Sequence, residues 1–513
     1  MLIHDFLINS ARKYPTKTAL VCGEKRYSYG VIDSSTNKLA QALINLGLQP
    51  NDRVVIHLPN SFEAVLSIFG TLKASGVFVC INSTTKKDKL IYILNNCEAS
   101  VLITTEKNAK NCEHLFQSVP SLKNVLLVGK DGSRITQSEK IFSFAEQIRN
   151  FPDIPVENKV TEEDLACLIY TSGSTGEPKG VIGGHDNVVF ATGSIIKYLG
   201  NNPDDIVLNV LPLSFDYGLY QLLMTFRFGG TLVLERSFSY PASILKKMEK
   251  EKVTGFPGVP TVFAMLLQMN LDSFDLSSLR YITNTAAALP TDHILALKKT
   301  FHWVKIYSMY GLTECKRALY LPPDQLDRRP GSVGIPIPGT RAWIEDEHGN
   351  KVGPHEVGEL VVSGPHVMRG YWKDEETTKM YYRKSPNSDG IVLYTGDLFK
   401  ADEDGFFFFV SRKDDIIKSR GEKVSPKEIE NVLYSINGII EAAVVGVPDR
   451  ILGQAIKAYV VSNNELLNEK DILKVCKSKL EDYMVPQFVE FRKKLPKTST
   501  GKIDRKVLSA TAH

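Results

Sequence analysis

The stretch "YTSGSTGEPKG" (Tyr170–Gly180) carries three glycines, two serines, two threonines and a lysine in eleven positions, directly after the apolar run Leu165–Ile169. Successive backbone N–H groups of a glycine-rich turn point into one concavity; hydroxyls add donors and a lysine adds a point charge. Together they suit phosphate oxygens. Gly, Ser and Thr are also ordinary turn residues, and what favours an anion-binding loop is Lys179 together with the apolar strand before it. The loop is not of the Walker type: Gly173 and Gly176 are too close, and Lys179 is followed by Gly180 rather than by Ser or Thr. The C-terminal "TGKID" fails the same test, with Pro496 where the first glycine belongs and Ile503 after the lysine.

Around this loop, helical and extended periodicities alternate. A helical pattern over Asp33–Leu48 precedes strand-like Arg53–Leu58, then helical Phe62–Ala74 and strand-like Val77–Ile81. The alternation returns in Ile206–Leu211, Leu219–Phe228, Thr231–Glu235 and Ala242–Lys252. Such a succession predicts layered α/β structure with largely parallel sheets. Short β segments follow (Ala342–Glu345, Glu359–Ser363, Gly405–Val410) and predict a smaller sheet or barrel. The phenylalanine run Phe406–Phe409 reads as a buried strand after the turn at Asp404-Gly405. Beyond Asp415, a polar, basic segment leads into a compact αβ stretch of about a hundred residues, read as a separate C-terminal domain.

A chain of 513 residues is too long for one hydrophobic core and fits a multidomain enzyme. Its 62 basic residues nearly balance 58 acidic ones, which argues against a nucleic-acid or membrane-surface partner. Seven cysteines lie singly, with no CxxC pair; this suits a reducing, cytoplasmic compartment and offers no zinc site. The N-terminus lacks the apolar core of a signal peptide, and no run of eighteen uncharged apolar residues occurs.

Further segments extend the phosphate-loop reading. "YSMYGLTE" (Tyr307–Glu314) combines an aromatic face, a tight turn, a hydroxyl and a carboxylate, a set able to stack a base, touch a phosphate and hold a hard cation. "YTGDL" (Tyr394–Leu398) places Asp397 where a carboxylate could accept two ribose hydroxyls. "SRKDDIIKSRGEKVSPKEIE" (Ser411–Glu430) and "LPKTSTGKIDR" (Leu495–Arg505) follow in order, and "GELVVSGPHVMRGYW" (Gly358–Trp372) lies between "YSMYGLTE" and "YTGDL". Through this ordered set, over nearly its whole length, the chain resembles the adenylate-forming superfamily of acyl-CoA synthetases, aryl-CoA ligases, stand-alone adenylation enzymes of peptide synthesis and luciferases.

The resemblance implies a large N-terminal domain of layered α/β sheets plus a small β-barrel (residues 1–413) and a small mobile α+β C-terminal domain (residues 414–513), hinged at Asp414. It implies that MgATP and a carboxylic acid give an acyl-adenylate and pyrophosphate, after which a thiol displaces AMP. By motif match, Thr171, Ser172, Gly173, Ser174, Thr175, Gly176 and Lys179 cover the β- and γ-phosphates. Tyr310 stacks adenine beside Gly311, Thr313 touches phosphate, Glu314 holds Mg2+, and Asp397 and Arg412 bracket the ribose. Lys502 bridges the acid and the α-phosphate; after adenylation, rotation of the small domain withdraws it and brings Gly421 to a pantetheine tunnel. Ser411, where the family commonly has glycine, and "NTAAA" (Asn284–Ala288) depart from the pattern.

The acid pocket is expected from Asp216, Tyr217 and Tyr220 of "SFDYGLYQ", from Phe256–Gly258, from Asn284, and from residues after Glu314, Arg317 among them. In amino-acid-activating relatives, an aspartate at the place of Asp216 pairs with the substrate ammonium, which tilts the reading toward an amino or imino acid. Asp216 is equally suited to cap a helix, and a fatty or aryl acid is the alternative. Arg317 could balance Asp216, meet a second acidic group on the substrate, or face solvent. The acceptor thiol is that of CoA or of the phosphopantetheine arm of a separate carrier protein, for either of which the basic residues Arg492, Lys493 and Lys494 are suited. A luciferase-like oxidative enzyme and a non-catalytic scaffold are the rival classes; a scaffold would be expected to have lost Lys502, Glu314 or Asp397.

Overall fold

Four sheets organise the chain in the computed structural model, which describes residues 1–107, 112–129, 139–172, 177–285, 289–419, 422–449, 453–498 and 501–511. A seven-stranded sheet is built around Arg53–His57, Val77–Cys80 and Ala99–Thr105, with parallel pairing throughout except at its edge, where Leu165–Ser172 and Pro178–Gly184 run antiparallel. The central strands read VVIH and VFVC because both of their faces are covered; a parallel sheet inside helices needs apolar residues at every position. Helix Tyr29–Asn45 starts at Ser28, whose hydroxyl accepts the Val31 N–H, and helix Phe62–Lys73 starts the same way at Ser61.

The second large sheet has nine strands. Its parallel centre contains Thr231–Leu234, Ile206–Asn209, Gly255–Gly258, Tyr281–Asn284 and Lys305–Tyr310, in that spatial order. Helix Asp216–Phe228 returns the chain from Ile206–Asn209 to Thr231–Leu234 and stops at Gly229, which takes the left-handed conformation at φ 78°. One continuous apolar core joins both large sheets.

The smaller sheet expected after these layers is five-stranded and antiparallel. Its long strand Ile391–Ala401 takes Gly358–Ser363 on one edge and divides the other between Tyr382–Lys384 and Phe407–Arg412. The phenylalanine run does enter a strand, but only Phe407 is fully buried. Phe406 lies under the Arg329 guanidinium at 4.2 Å, and Phe409 packs edge-on against Phe399. Residues from Ile417 onward form a last sheet around Ile439–Asp449 and Gly453–Ser462, with an apolar core of their own from Ile417 to Val485.

Candidate active site

The opening motif straddles the antiparallel edge of the seven-stranded sheet. Thr171 pairs with Lys179 and Ser172 with Pro178, so the loop turns at the end of a hairpin. Gly173, Ser174, Thr175 and Gly176, and the Ser172 side chain, lie outside the described residues. Lys179 forms an ion pair with Asp374 at 2.8 Å and also donates to the Thr377 hydroxyl. Asp374 is the N-cap of helix Glu375–Tyr381, a position where a carboxylate satisfies free N–H groups and favours the positive helix end. The sequence offered no sign of this partnership, because the two residues are 195 positions apart and meet only through the fold.

Tyr310 ends the strand Lys305–Tyr310 and donates its hydroxyl to Asp397 Oδ2 at 2.6 Å. Asp397 lies on Ile391–Ala401 directly opposite Arg412, whose Nε is 3.5 Å from Oδ1. Burial pushes the Asp397 carboxyl above the usual aspartate range, against the pull of Arg412 and the Tyr310 hydrogen bond. Arg412 stays largely exposed, whereas the Asp397 carboxylate opposite it is buried. Ser411 fits where glycine was expected: it is buried in the strand, and its hydroxyl donates to the Arg412 carbonyl at 3.2 Å.

After Tyr310 the chain turns at Gly311. A Cβ there would meet the Lys316 carbonyl oxygen at 2.0 Å, so glycine alone allows the close return. The turn presents Thr313 to the cavity and sends Glu314 to Tyr371, whose hydroxyl donates to Oε1 at 2.6 Å. Tyr371 was not singled out from sequence, although it is the tyrosine of the quoted "GYW".

Asp216 is the first residue of its helix; Phe215 holds the cap position, and the Asp216 carboxylate accepts the Tyr217 N–H at 2.9 Å. Asp216 is therefore not the helix cap; it stands one residue inside the helix, and the cap position makes no side-chain hydrogen bond. Gly218 permits this entry, since a Cβ would sit 2.3 Å from the Pro212 carbonyl oxygen. Tyr217 and Tyr220 are both buried; the Tyr217 hydroxyl donates to the Thr283 carbonyl at 2.7 Å, whereas the Tyr220 hydroxyl finds no partner. Asn284 is buried at the end of Tyr281–Asn284, and Ala286–Ala288 lie outside the described residues.

Arg317 is buried rather than exposed, and its guanidinium lies 4.6 Å over the Tyr217 ring. It makes no ion pair with Asp216 or with any other carboxylate among the described residues. Phe215, Asp216, Tyr217, Thr285, Gly311–Thr313, Arg317 and Lys502 enclose one cavity of about 30 Å³ at the carboxyl ends of parallel strands, the usual ligand position in such sheets.

Lys502 reaches this cavity from the C-terminal region. Its backbone is fixed by Thr498 N–H donating to the Lys502 carbonyl at 2.7 Å and by Asp504 N–H donating to Pro496 at 2.8 Å. Its ammonium lies 5.8 Å from the centre of the Phe215 ring. Burial and the Arg412 charge lower its pKa, while Asp216, Asp397 and Glu314 oppose the shift. The backbone of Asp414 belongs to the short turn Lys413–Asp415, its side chain lies outside the described residues, and so does Gly421. Lys502, Glu314, Thr313, Asp216 and Arg317, spread over 287 positions of sequence, therefore converge, with Asp397 and Arg412 alongside.

Comparison with known proteins agrees with this geometry. Residues 7–372 match the AMP-binding enzyme family and residues 428–502 match the AMP-binding enzyme C-terminal domain. A long-chain-fatty-acid–CoA ligase of Bacillus subtilis (strain 168) is 34% identical, aligned over 99% of this chain and 94% of its own length. A feruloyl-CoA synthase of Amycolatopsis is also 34% identical, over 97% and 96%. The crystal structure of an anthranilate CoA ligase with anthranoyl-AMP superposes with a TM-score of 0.92 at 28% identity, covering 100% of this chain and 97% of that one. The chain belongs to the AMP-binding enzyme family and is an ATP-dependent, AMP-forming ligase.

Proposed function

We propose that the protein is an acid–CoA ligase for a compact carboxylic acid, with the family roles falling on the residues gathered at the cavity. In the first half-reaction a carboxylate oxygen attacks the α-phosphorus of ATP, and the bond to pyrophosphate breaks. In the second, the CoA sulfur attacks the acyl carbon, AMP leaves with the bonding pair, and the thiol proton is released. Bringing two anions together is the main obstacle, and a fixed cation placed between them lowers it. Lys502 takes that place, Thr313 and Lys179 with residues 171–176 hold phosphates, Tyr310 and Gly311 receive adenine, and Asp397 with Arg412 holds the ribose.

Glu314 fits a magnesium ion that arrives with ATP: such ions take one or two protein carboxylates and otherwise phosphate and water oxygens. Tyr371 fixes Oε1, and no cluster of three or more His, Cys, Asp or Glu exists among the described residues to hold a second, purely protein-bound ion. The ion would neutralise phosphate charge. The domain division at residues 413 and 414, with Asp414 as hinge, is supported by the separate C-terminal core and by the short turn Lys413–Asp415 between the two regions. Rotation there would let one site serve both half-reactions.

The observation that carries the compact-acid reading is the polar closure of the cavity: Tyr217 is tied to Thr283, and Arg317 and Asp216 stand in the wall. An amino or imino acid is less well served than the aspartate alone suggested. Asp216 already accepts a backbone N–H, and a substrate ammonium would share the cavity with Arg317 and Lys502. CoA is the acceptor named for the relatives; a carrier protein is the alternative. AMP release and thioester formation should be measured with CoA across amino acids, short acids, aryl acids and palmitate. Turnover confined to palmitate and longer acids would refute the compact-acid reading, and turnover only with a phosphopantetheinylated carrier would refute CoA as acceptor. No helix among the described residues is long and apolar enough to cross a membrane.

A further inference from the structure

Two buried cations, Lys316 and Arg317, follow the turn at Gly311, and Arg317 stands on the cavity wall. Arg317 is 3% exposed: one terminal nitrogen donates to the Lys316 carbonyl at 2.8 Å, and its Nε has no hydrogen-bond partner. Lys316 is 2% exposed, with its ammonium 5.8 Å over the Tyr220 ring. Neither forms an ion pair among the described residues. The turn imposes this arrangement: Lys316 has φ 63°, and its carbonyl is pressed against Gly311. Two further donors nearby are orphaned, the Tyr220 hydroxyl and the Thr285 hydroxyl, the latter on the cavity wall.

Removing a charge from water is costly unless a partner replaces the lost hydration, and contact with an aromatic face returns only part of that cost. Among the described residues, Asp216 is the one carboxylate on the cavity wall, against Arg317 and Lys502 there. Lys502 is accounted for by the reacting carboxylate and α-phosphate; Arg317 and Lys316 are not. An aliphatic or plain aryl acid would leave the Arg317 Nε and the Thr285 hydroxyl on the cavity wall unsatisfied. An anion would satisfy them together.

We infer that the acid this enzyme activates carries a second anionic group and is a short dicarboxylic acid, one carboxylate lying at Lys502 and Thr313 and the other on Arg317. This rests on the ligase reading above. "Short" follows because Arg317 and Lys502 line the same small cavity, so only a few carbons separate the two carboxylates. Arg317 would give directional hydrogen bonds and the Thr285 hydroxyl would add a donor. Only the carboxylate at Lys502 is adenylated; the one on Arg317 remains ionised and unreacted.

The experiment compares malonate, succinate and glutarate with propionate, butyrate and valerate, and adds benzoate and palmitate, following ATP–pyrophosphate exchange and CoA-thioester formation. One diacid should exceed the monoacid of equal carbon number by about 100-fold in kcat/KM, and Arg317→Met should cut that ratio to within about 10-fold of unity. Lys316→Met should lower the ratio less. Monoacids turned over as well as diacids, or a ratio unchanged in an Arg317→Met protein of wild-type melting temperature, would overturn the inference. Should that variant fail to fold, the wild-type panel decides alone. Turnover of benzoate or palmitate without any diacid refutes the second anion and leaves the ligase standing; no AMP release with any acid removes both.

Discussion

Replacing Lys502 by alanine removes the cation that reaches the cavity from the C-terminal domain while sparing what holds its backbone. The hydrogen bonds from Thr498 and Asp504 use main-chain atoms only, so the loop should keep its shape. Removing one preorganised group that stabilises transition-state charge typically costs 10²–10³ in rate, about 2.7–4 kcal/mol. The adenylation half-reaction, read by ATP–pyrophosphate exchange, should fall by that factor, with ATP affinity changed only several-fold. Thiolysis of a preformed acyl-adenylate makes no new bond at phosphorus and should fall far less. The pH dependence adds a second sign. Since burial and Arg412 depress the Lys502 pKa, the active ammonium is lost as pH rises through a value below the ordinary lysine range near 10.4. The alkaline limb of exchange should therefore lie below that range and move upward in Lys502→Arg. Exchange in Lys502→Ala within about 3-fold of wild type would refute the assigned role.

Burial holds the Asp397 pKa above the ordinary aspartate range, so ATP affinity should fail on acidification at a pH above that range, and Asp397→Asn should flatten the profile of ATP Kd against pH while weakening binding about 10-fold. Gly311→Ala would drive a Cβ to 2.0 Å from the Lys316 carbonyl oxygen; displacing that turn moves Thr313 and Glu314, and exchange should fall at least 10²-fold with the fold retained by circular dichroism. His366 is wholly buried without a partner for either ring nitrogen, and burial lowers its pKa to about 4. The unfolded chain takes up its proton below about 6.5 and the native one only near 4, so stability present at neutral pH is lost as pH falls through that window, by up to ~3.4 kcal/mol. Denaturant midpoints measured from pH 7 to 4.5 should show the decline, and His366→Leu should lessen it; an unchanged slope would count against the buried neutral imidazole.

Phe62–Lys73 and Val77–Cys80 were legible almost to the residue because a serine cap and a buried apolar run are local signals. The same holds for Asp397 and Arg412, recognisable by motif and then found opposite each other on neighbouring strands. The partners that complete the site were not legible: Tyr371 beside Glu314, Asp374 beside Lys179, and the buried Lys316 next to Arg317. Each depends on which elements the sheets bring together, and no periodicity within one segment encodes it. Arg317 illustrates the limit, since balancing Asp216, meeting a second acidic group on the substrate and facing solvent were all consistent with "TECKRALY".

The sequence by itself determined that this chain forms layered α/β sheets and a small C-terminal domain, and that it carries the phosphate, ribose and lysine motifs of AMP-forming ligases, because hydrophobic period, capping residues and backbone-dictated turns are written locally. Only the tertiary structure decided that Lys502 lies in the cavity, that Asp216 is bound to its own helix, and that Arg317 and Lys316 form no ion pair among the described residues. Burial and charge pairing are sums over everything that packs around a group, and the fold alone fixes that surrounding.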